Sequence, residues 1–276
     1  MKSWKEPPRA LSRGIVLALG ALLALSGAAE GRGTLRVLFV GDSIGSYWNT
    51  PASMKEVARS IAAAPMLNVE VSIIGEVESL QGHLSDTYGK RGLIAIRRGG
   101  WDVVVLQENP YEPLARRDDF FSAVTTLAAE ARKVNAEAVL YEPFALASGS
   151  VVFSSESSWS GGNPQAMQAR LGEACGQIAD RLHLRQARVG DAFEWVRVHH
   201  PEIPLYESDK IHPSPAGAFL EACVIVAQLT GTDPRHSEWL PPYGVTPAQA
   251  GVLRAVPTLR SRNSSARRKR AHARRL

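Results

Sequence analysis

A chain of 276 residues that is 45% hydrophobic and 21% charged has the composition of an ordinary globular protein, which excludes a fibrous or wholly disordered chain. The net charge of +5 belongs to the ends: residues 1–29 and 260–276 are basic, and removing both leaves 20 basic and 26 acidic residues, about −6, so no nucleic-acid-binding face is expected on the body. Two cysteines, Cys175 and Cys223, are too few for a disulfide scaffold or a zinc site.

Lys2, Lys5, Arg9 and Arg13 precede an apolar segment from Gly14 to Leu25, and small residues follow to Ala29. This pattern predicts a signal peptide over residues 1–29 and an exported protein, periplasmic or secreted. The apolar segment is shorter than the about 20 residues of a membrane span, so no stable insertion is expected after cleavage. An uncleaved anchor is the alternative.

Residues 35–45 read LRVLFVGDSIG. An apolar run stopped by Gly41 and Asp42 predicts a buried parallel strand. Ser43 then stands at its carboxyl end, where open α/β sheets place their ligands. It is either a nucleophile or the N-cap of the next helix. Pro51 opens a helix in which Met54, Val57, Ala58, Ile61 and Ala62 recur at helical spacing. Tyr47 and Trp48, between the two, either pack or shape a substrate pocket.

Residues 69–74 predict a second strand and WDVVVLQ at 101–107 a third. A helix follows from about Arg117 to Val134, then a fourth strand from Glu137 to Tyr141. Residues 144–163 form a long loop rich in Ser and Gly that holds Phe153 and Trp159. A helix from Pro164 to Leu182, a fifth strand from Gln186 to Val189, a short helix around Phe193 to Val198, and a closing helix from Ala216 to Leu229 complete the order. Strands alternating with helices predict one α/β domain, residues 30–259, with a parallel sheet covered on both faces. The tail at 260–276 lacks apolar periodicity and is expected to be disordered. Both cysteines fall in predicted helices among apolar neighbours, which suits buried free thiols; export would permit a bridge.

The strand ends deliver chemistry to one edge of the sheet. Asp42 and Ser43 follow the first strand, Gln107, Glu108 and Asn109 end the third, and Asp209 and His212 follow the fifth. A serine hydroxyl needs a base to become a nucleophile. His212 suits that role, and Asp209, three residues earlier, can turn back to hold its ring. The bland alternative is a helix-entry turn in which Ser214 caps the helix and Asp209 is merely solvated. Asn109 can donate to an oxyanion, with Gln107 as the alternative donor or substrate contact; strand-end capping is the competing role for both. His83, Glu76 and Glu78 could line the cleft, but no spacing requires a metal.

GDSIG at 41–45, Asn109, and Asp209-Lys-Ile-His212 resemble the SGNH (GDSL-type) hydrolase superfamily. VVVLQEN followed by HPSPAG is similar to a bacterial SGNH-like family that shows LQEQ and D-x-x-H-P-S-P-A-G motifs. The resemblance covers about residues 35 to 230. It implies a flavodoxin-like three-layer α/β/α sandwich with a five-stranded parallel sheet, ester hydrolysis, and no metal or organic cofactor. It assigns Ser43, Asp209 and His212 as the triad, and the oxyanion donors to Ser43, Asn109 and a backbone N–H near Val77. Two departures stand out: Glu76 and Val77 occupy places where related sequences often carry Gly-Gly, and Gln107-Glu108-Asn109-Pro110 replaces Gly-x-Asn-Asp. GDSIG also satisfies the G-x-S-x-G nucleophile elbow of α/β-hydrolases, but in that fold the acid and histidine lie on separate loops.

The expected function is thus an exported serine esterase acting on a small-molecule or carbohydrate ester, with acetyl esters preferred. Alternatives are a non-catalytic glycan-binding module, with the Ser- and Gly-rich loop and its Trp159 as the contact, and an O-acyltransferase using the same catalytic residues; Trp48 and Trp159 are candidate substrate contacts of the enzyme.

Overall fold

The computed structural model describes residues 32–75, 78–154 and 158–256. The signal peptide and basic tail expected from the sequence lie outside the described residues. A compact unit begins at Thr34. Its strands are β1 (Thr34–Gly41), β2 (Met66–Ile73), β3 (Val103–Gln107), β4 (Glu137–Tyr141) and β5 (Arg185–Ala187). All pair in parallel, in the order β2-β1-β3-β4-β5. The helices, in chain order, are α1 (Ser43–Ser46), α2 (Thr50–Ser60), α3 (Arg91–Arg98), α4 (Glu112–Ala115), α5 (Arg117–Lys133), α6 (Pro164–Leu182), α7 (Val189–His199) and α8 (Pro215–Thr230). Residues 247–256 are also helical.

The pleat sends alternate residues to opposite faces, which builds the layers. Val37, Phe39, Val103, Val105, Val139 and Tyr141 pack with Met54, Val57, Phe193 and Phe219 from α2, α7 and α8. Leu38, Val40, Val104, Leu106 and Leu140 pack on the other face with Ile96, Phe120, Leu127 and Ile178 from α3, α5 and α6. The result is the expected three-layer sandwich. Truncating Phe39, wholly buried at its centre, to alanine should cost about 3–5 kcal/mol.

Cys223 lies in the first of these clusters and Cys175 in the second, so the sheet separates them. Both are free and buried, and the bridge that export would have permitted is excluded by position.

Element boundaries moved where tertiary pairing outweighed local pattern. β2 starts at Met66, before the expected residue 69, because it stays in register with β1 from Thr34. β5 is only Arg185–Ala187, and Val189 already begins α7. Helix α3 is not among the elements expected from the sequence: it spans only eight residues, about two turns, of which Gly92, Leu93 and Ile96 are buried, and it follows Lys90, whose φ is +51°. No helix among the described residues is long and apolar enough to cross a membrane.

The strand order reverses between β1 and β3. The crevice outside the carboxyl ends of such a switch point is where open α/β sheets bind ligands. The turn after β1 and the Gln107–Asn109 segment flank it.

Candidate active site

The turn after β1 is shaped by close approach. A Cβ on Gly41 would stand 2.1 Å from Gln107 Oε1, and one on Gly45 would stand 2.6 Å from the Phe39 ring. Both glycines are required because the backbone lies against neighbouring side chains. Asp42 Oδ1 accepts the Ile44 N–H at 2.9 Å and so caps α1. Gln107 closes a reciprocal pair: its Nε2 donates to Asp42 Oδ1 at 2.8 Å and its Oε1 accepts the Asp42 N–H at 2.9 Å. Gln107 is buried beneath the turn with both ends of its amide engaged. It supports the turn that carries Ser43, the strand-end role that competed with substrate contact or oxyanion donation.

Ser43 is half-buried at the start of α1. Its Oγ lies 3.0 Å from His212 Nε2. His212 Nδ1 lies 2.7 Å from Asp209 Oδ2. A carboxylate only accepts, so Nδ1 carries the proton and donates, which leaves Nε2 free to accept from the serine hydroxyl. The other oxygen, Asp209 Oδ1, accepts the Ile211 and His212 N–H groups at 2.9 and 3.0 Å. Partial burial pushes the Asp209 carboxyl up, but the bonds from the His212 ring and those two amides outweigh it and hold the group below its usual value.

The loop that presents this pair is pinned across its base. Tyr206 bridges Pro213, the Glu207 N–H donates to His212 O at 2.9 Å, and the Ser214 N–H donates to Leu205 O at 2.9 Å. Lys210 takes a φ of +69° at the bend. Ser214 does cap α8, accepting the Gly217 N–H, so the capping role and the Asp209–His212 pair coexist.

Segments beyond β2 and β3 are tied to the same edge. Glu108 is fully buried and accepts the Leu80 and Asn109 N–H groups; burial, and then the neighbouring Asp42 charge, push its carboxyl well up. His83 Nε2–H donates to Gly41 O at 3.0 Å, and burial lowers its pKa to about 4, so the ring is neutral. His83 therefore braces β1 instead of lining an open cleft. Asn109 Oδ1 accepts the Tyr111 and Glu112 N–H groups at 2.9 and 3.1 Å, opening α4. That leaves its Nδ2, one hydrogen of which points to Glu108 Oε1 at 3.3 Å. Val77, the expected backbone donor, lies outside the described residues.

Of the two tryptophans, Trp159 is half-buried, stands edge-on to Tyr111 at 5.1 Å and packs on a satellite cluster of Ala145, Leu146, Met167 and Leu171. Trp48 is exposed, and its Nε1–H donates to Glu207 Oε1 at 2.7 Å. Tyr47 stacks on the His212 ring, with centroids 4.3 Å apart. Sequence reasoning singled out neither the Tyr47–His212 stack nor Glu207. Adjacency of Tyr47 to Ser43 is the only sequence signal for it. Among the described residues, no group of three or more His, Cys, Asp or Glu is placed to hold a metal.

No family model matches this sequence, and no curated protein does. Solved structures do match. A candidate SGNH hydrolase from Slackia heliotrinireducens is 25% identical, with a TM-score of 0.59 over 71% of this chain and 100% of that one. A DUF4886 family protein from Bacteroides uniformis is 14% identical, with a TM-score of 0.64 over 82% and 94%. An acetylxylan esterase from Geobacillus stearothermophilus is 16% identical, with a TM-score of 0.52 over 71% and 95%. The chain has the fold of the SGNH hydrolases.

Proposed function

We propose that this SGNH-fold chain is a serine esterase with Ser43 as nucleophile, His212 as general base and acid, and Asp209 as the orienting carboxylate. The observation that carries this reading is the unbroken line from Ser43 Oγ to His212 Nε2 at 3.0 Å and from His212 Nδ1 to Asp209 Oδ2 at 2.7 Å. Ser43 attacks the ester carbonyl while its proton passes to Nε2. Asp209 stabilises the imidazolium and keeps its tautomer. The oxyanion that forms is held by the Ser43 N–H, which at the first turn of α1 has no intrahelical acceptor, and by the Asn109 Nδ2 hydrogen not directed at Glu108. His212 then hands its proton to the leaving alkoxide, an acyl-enzyme remains, and water activated by the same ring releases the acid. No step calls for a metal or organic cofactor.

The substrate is a short-chain ester, with acetyl groups on a carbohydrate alcohol as the class. The fold is one that an acetylxylan esterase also uses, and an exported enzyme meets polymers outside the cytoplasm. Labelling by a fluorophosphonate and turnover of p-nitrophenyl acetate test the activity. Wild type should do both and Ser43→Ala neither. Equal turnover in the two proteins overturns the reading. Export rests on residues 1–29, and the protein recovered outside the cytoplasm should begin near residue 30; a chain retained inside with Met1 intact sinks that part.

A further inference from the structure

We infer that Tyr47, Trp48 and Tyr243 form the shelf on which the alcohol half of the ester lies, and that this half is a pyranose ring. The inference rests on the proposed triad, because that chemistry fixes which side is which. His212 must return its proton to the leaving oxygen, so the alcohol sits on the His212 flank of Ser43. That flank is walled by aromatic rings. Tyr47 lies parallel to the His212 ring, 4.3 Å away and 18° off plane. Trp48 follows it, tilted against Tyr243 at 5.5 Å. These rings are 37%, 42% and 61% exposed, so the surface they make is open.

Trp48 is held out in the open by two devices that packing alone does not explain. Its backbone takes φ +50° and ψ +22°, a left-handed conformation that a bulky side chain rarely adopts. Such conformations persist where surrounding structure enforces them, and they cluster at ligand sites. The indole N–H is also fixed, donating to Glu207 Oε1 at 2.7 Å. Glu207 belongs to the loop of His212 and donates its own N–H to His212 O at 2.9 Å. The shelf and the general base are therefore one unit, and the ring is already ordered before a ligand arrives, which lowers the entropy lost on binding.

The chemistry of the shelf selects the ligand. A pyranose presents a flat C–H face to an aromatic ring and hydroxyls around its edge. Glu207 Oε2 makes no hydrogen bond among the described residues and can accept from such a hydroxyl. Glu207 and Asp209 together disfavour an anionic alcohol such as a phosphate-bearing headgroup. The exposure of all three rings also suits a ring at the edge of a polymer better than a long alkyl chain, which would gain from deeper burial.

The test compares two acetyl esters that share an acyl group: acetylated xylotriose, which offers a ring, and triacetin, which offers none. p-Nitrophenyl acetate is unsuitable here because its leaving group can itself stack. In Trp48→Ala, the ratio of kcat/KM for acetylated xylotriose over triacetin should fall about tenfold, mostly through KM. Tyr243→Ala should lower it less, and Trp48→Phe, which keeps a ring, should retain most of it and controls for folding. Calorimetry should detect xylotriose binding to Ser43→Ala and lose it when Trp48→Ala is added. The inference is overturned if Trp48→Ala lowers both esters equally, which would make Trp48 only a prop for the His212 loop. It is also overturned if the ratio is unmoved, or if wild type turns over triacetin and not the sugar ester. Wild type inert on both esters and on the fluorophosphonate rejects the esterase reading; the shelf is then decided by calorimetry alone, supported by xylotriose binding that Trp48→Ala abolishes and overturned by its absence.

Discussion

The turn that carries Ser43 and the loop that carries His212 hold their side chains by opposite means. The turn is clamped from outside. Gln107 and the Phe39 ring crowd Gly41 and Gly45, His83 takes the Gly41 carbonyl, and Asp42 is buried with Oδ2 unpartnered among the described residues. The loop holds itself. Asp209 gathers two amides and an imidazole from the three residues that follow it, near the surface. The difference separates two kinds of damage: changes to the groups that clamp the turn should act on folding, whereas changes in the loop should act on proton transfer.

Removing the nucleophile has the largest expected effect. Ser43→Ala should lower kcat on the order of 10⁶-fold, by analogy with other triads, with the thermal midpoint unchanged, because its Oγ touches little beyond His212. Asp209→Asn comes next. It keeps the shape but loses the charge and the tautomer, and kcat should fall by about 10⁴-fold with the circular dichroism spectrum intact. Asp42→Asn is the internal control and should cost far less activity per folded molecule, since Asn retains the oxygen that caps Ile44. The comparison breaks if Asp42→Asn abolishes turnover while Asp209→Asn spares it. On the folding side, Gly41→Ala should lower unfolding free energy by about 3 kcal/mol in urea titration, because the new Cβ meets a Gln107 amide that has nowhere to go. A neutral Gly41→Ala would mean the turn is looser than its contacts imply.

The pH dependence of stability separates the two regions by sign. Burial pushes the Asp42 carboxyl from 3.8 to about 6, against the bonds from Gln107 and Ile44. Its folded pKa is raised, so the stability linked to its proton is full below pH 3.8 and lost as pH rises through about 6, roughly 3 kcal/mol in all. Asp42→Asn escapes that loss, and its stability relative to wild type should climb between pH 4 and 7. Asp209 has the reverse sign, its pKa being lowered. Its contribution is present above the ordinary carboxylate range and fades in acid, so Asp209→Asn should approach wild-type stability as pH falls. Denaturation at several pH values reads both; parallel curves for the two variants would erase the distinction.

The sequence by itself determined whatever depends on short range. The unbroken Val103–Gln107 run is a strand because nothing else buries five such residues between two helix layers. Asp209 and His212 are three residues apart, and that local spacing suffices to join their side chains. Tertiary structure alone decided the rest. Strand pairing sets which way a strand-end amide turns, and Gln107 turns under Asp42. Trp159 packs on a satellite core between α4 and α6, a placement its loop sequence does not announce. The Tyr47–His212 stack and the Trp48–Glu207 bond join residues far apart in the chain, and Trp48 reaches its place through a backbone conformation its residue type disfavours. Local propensity argues against that conformation, so only the contacts of the folded chain can select it.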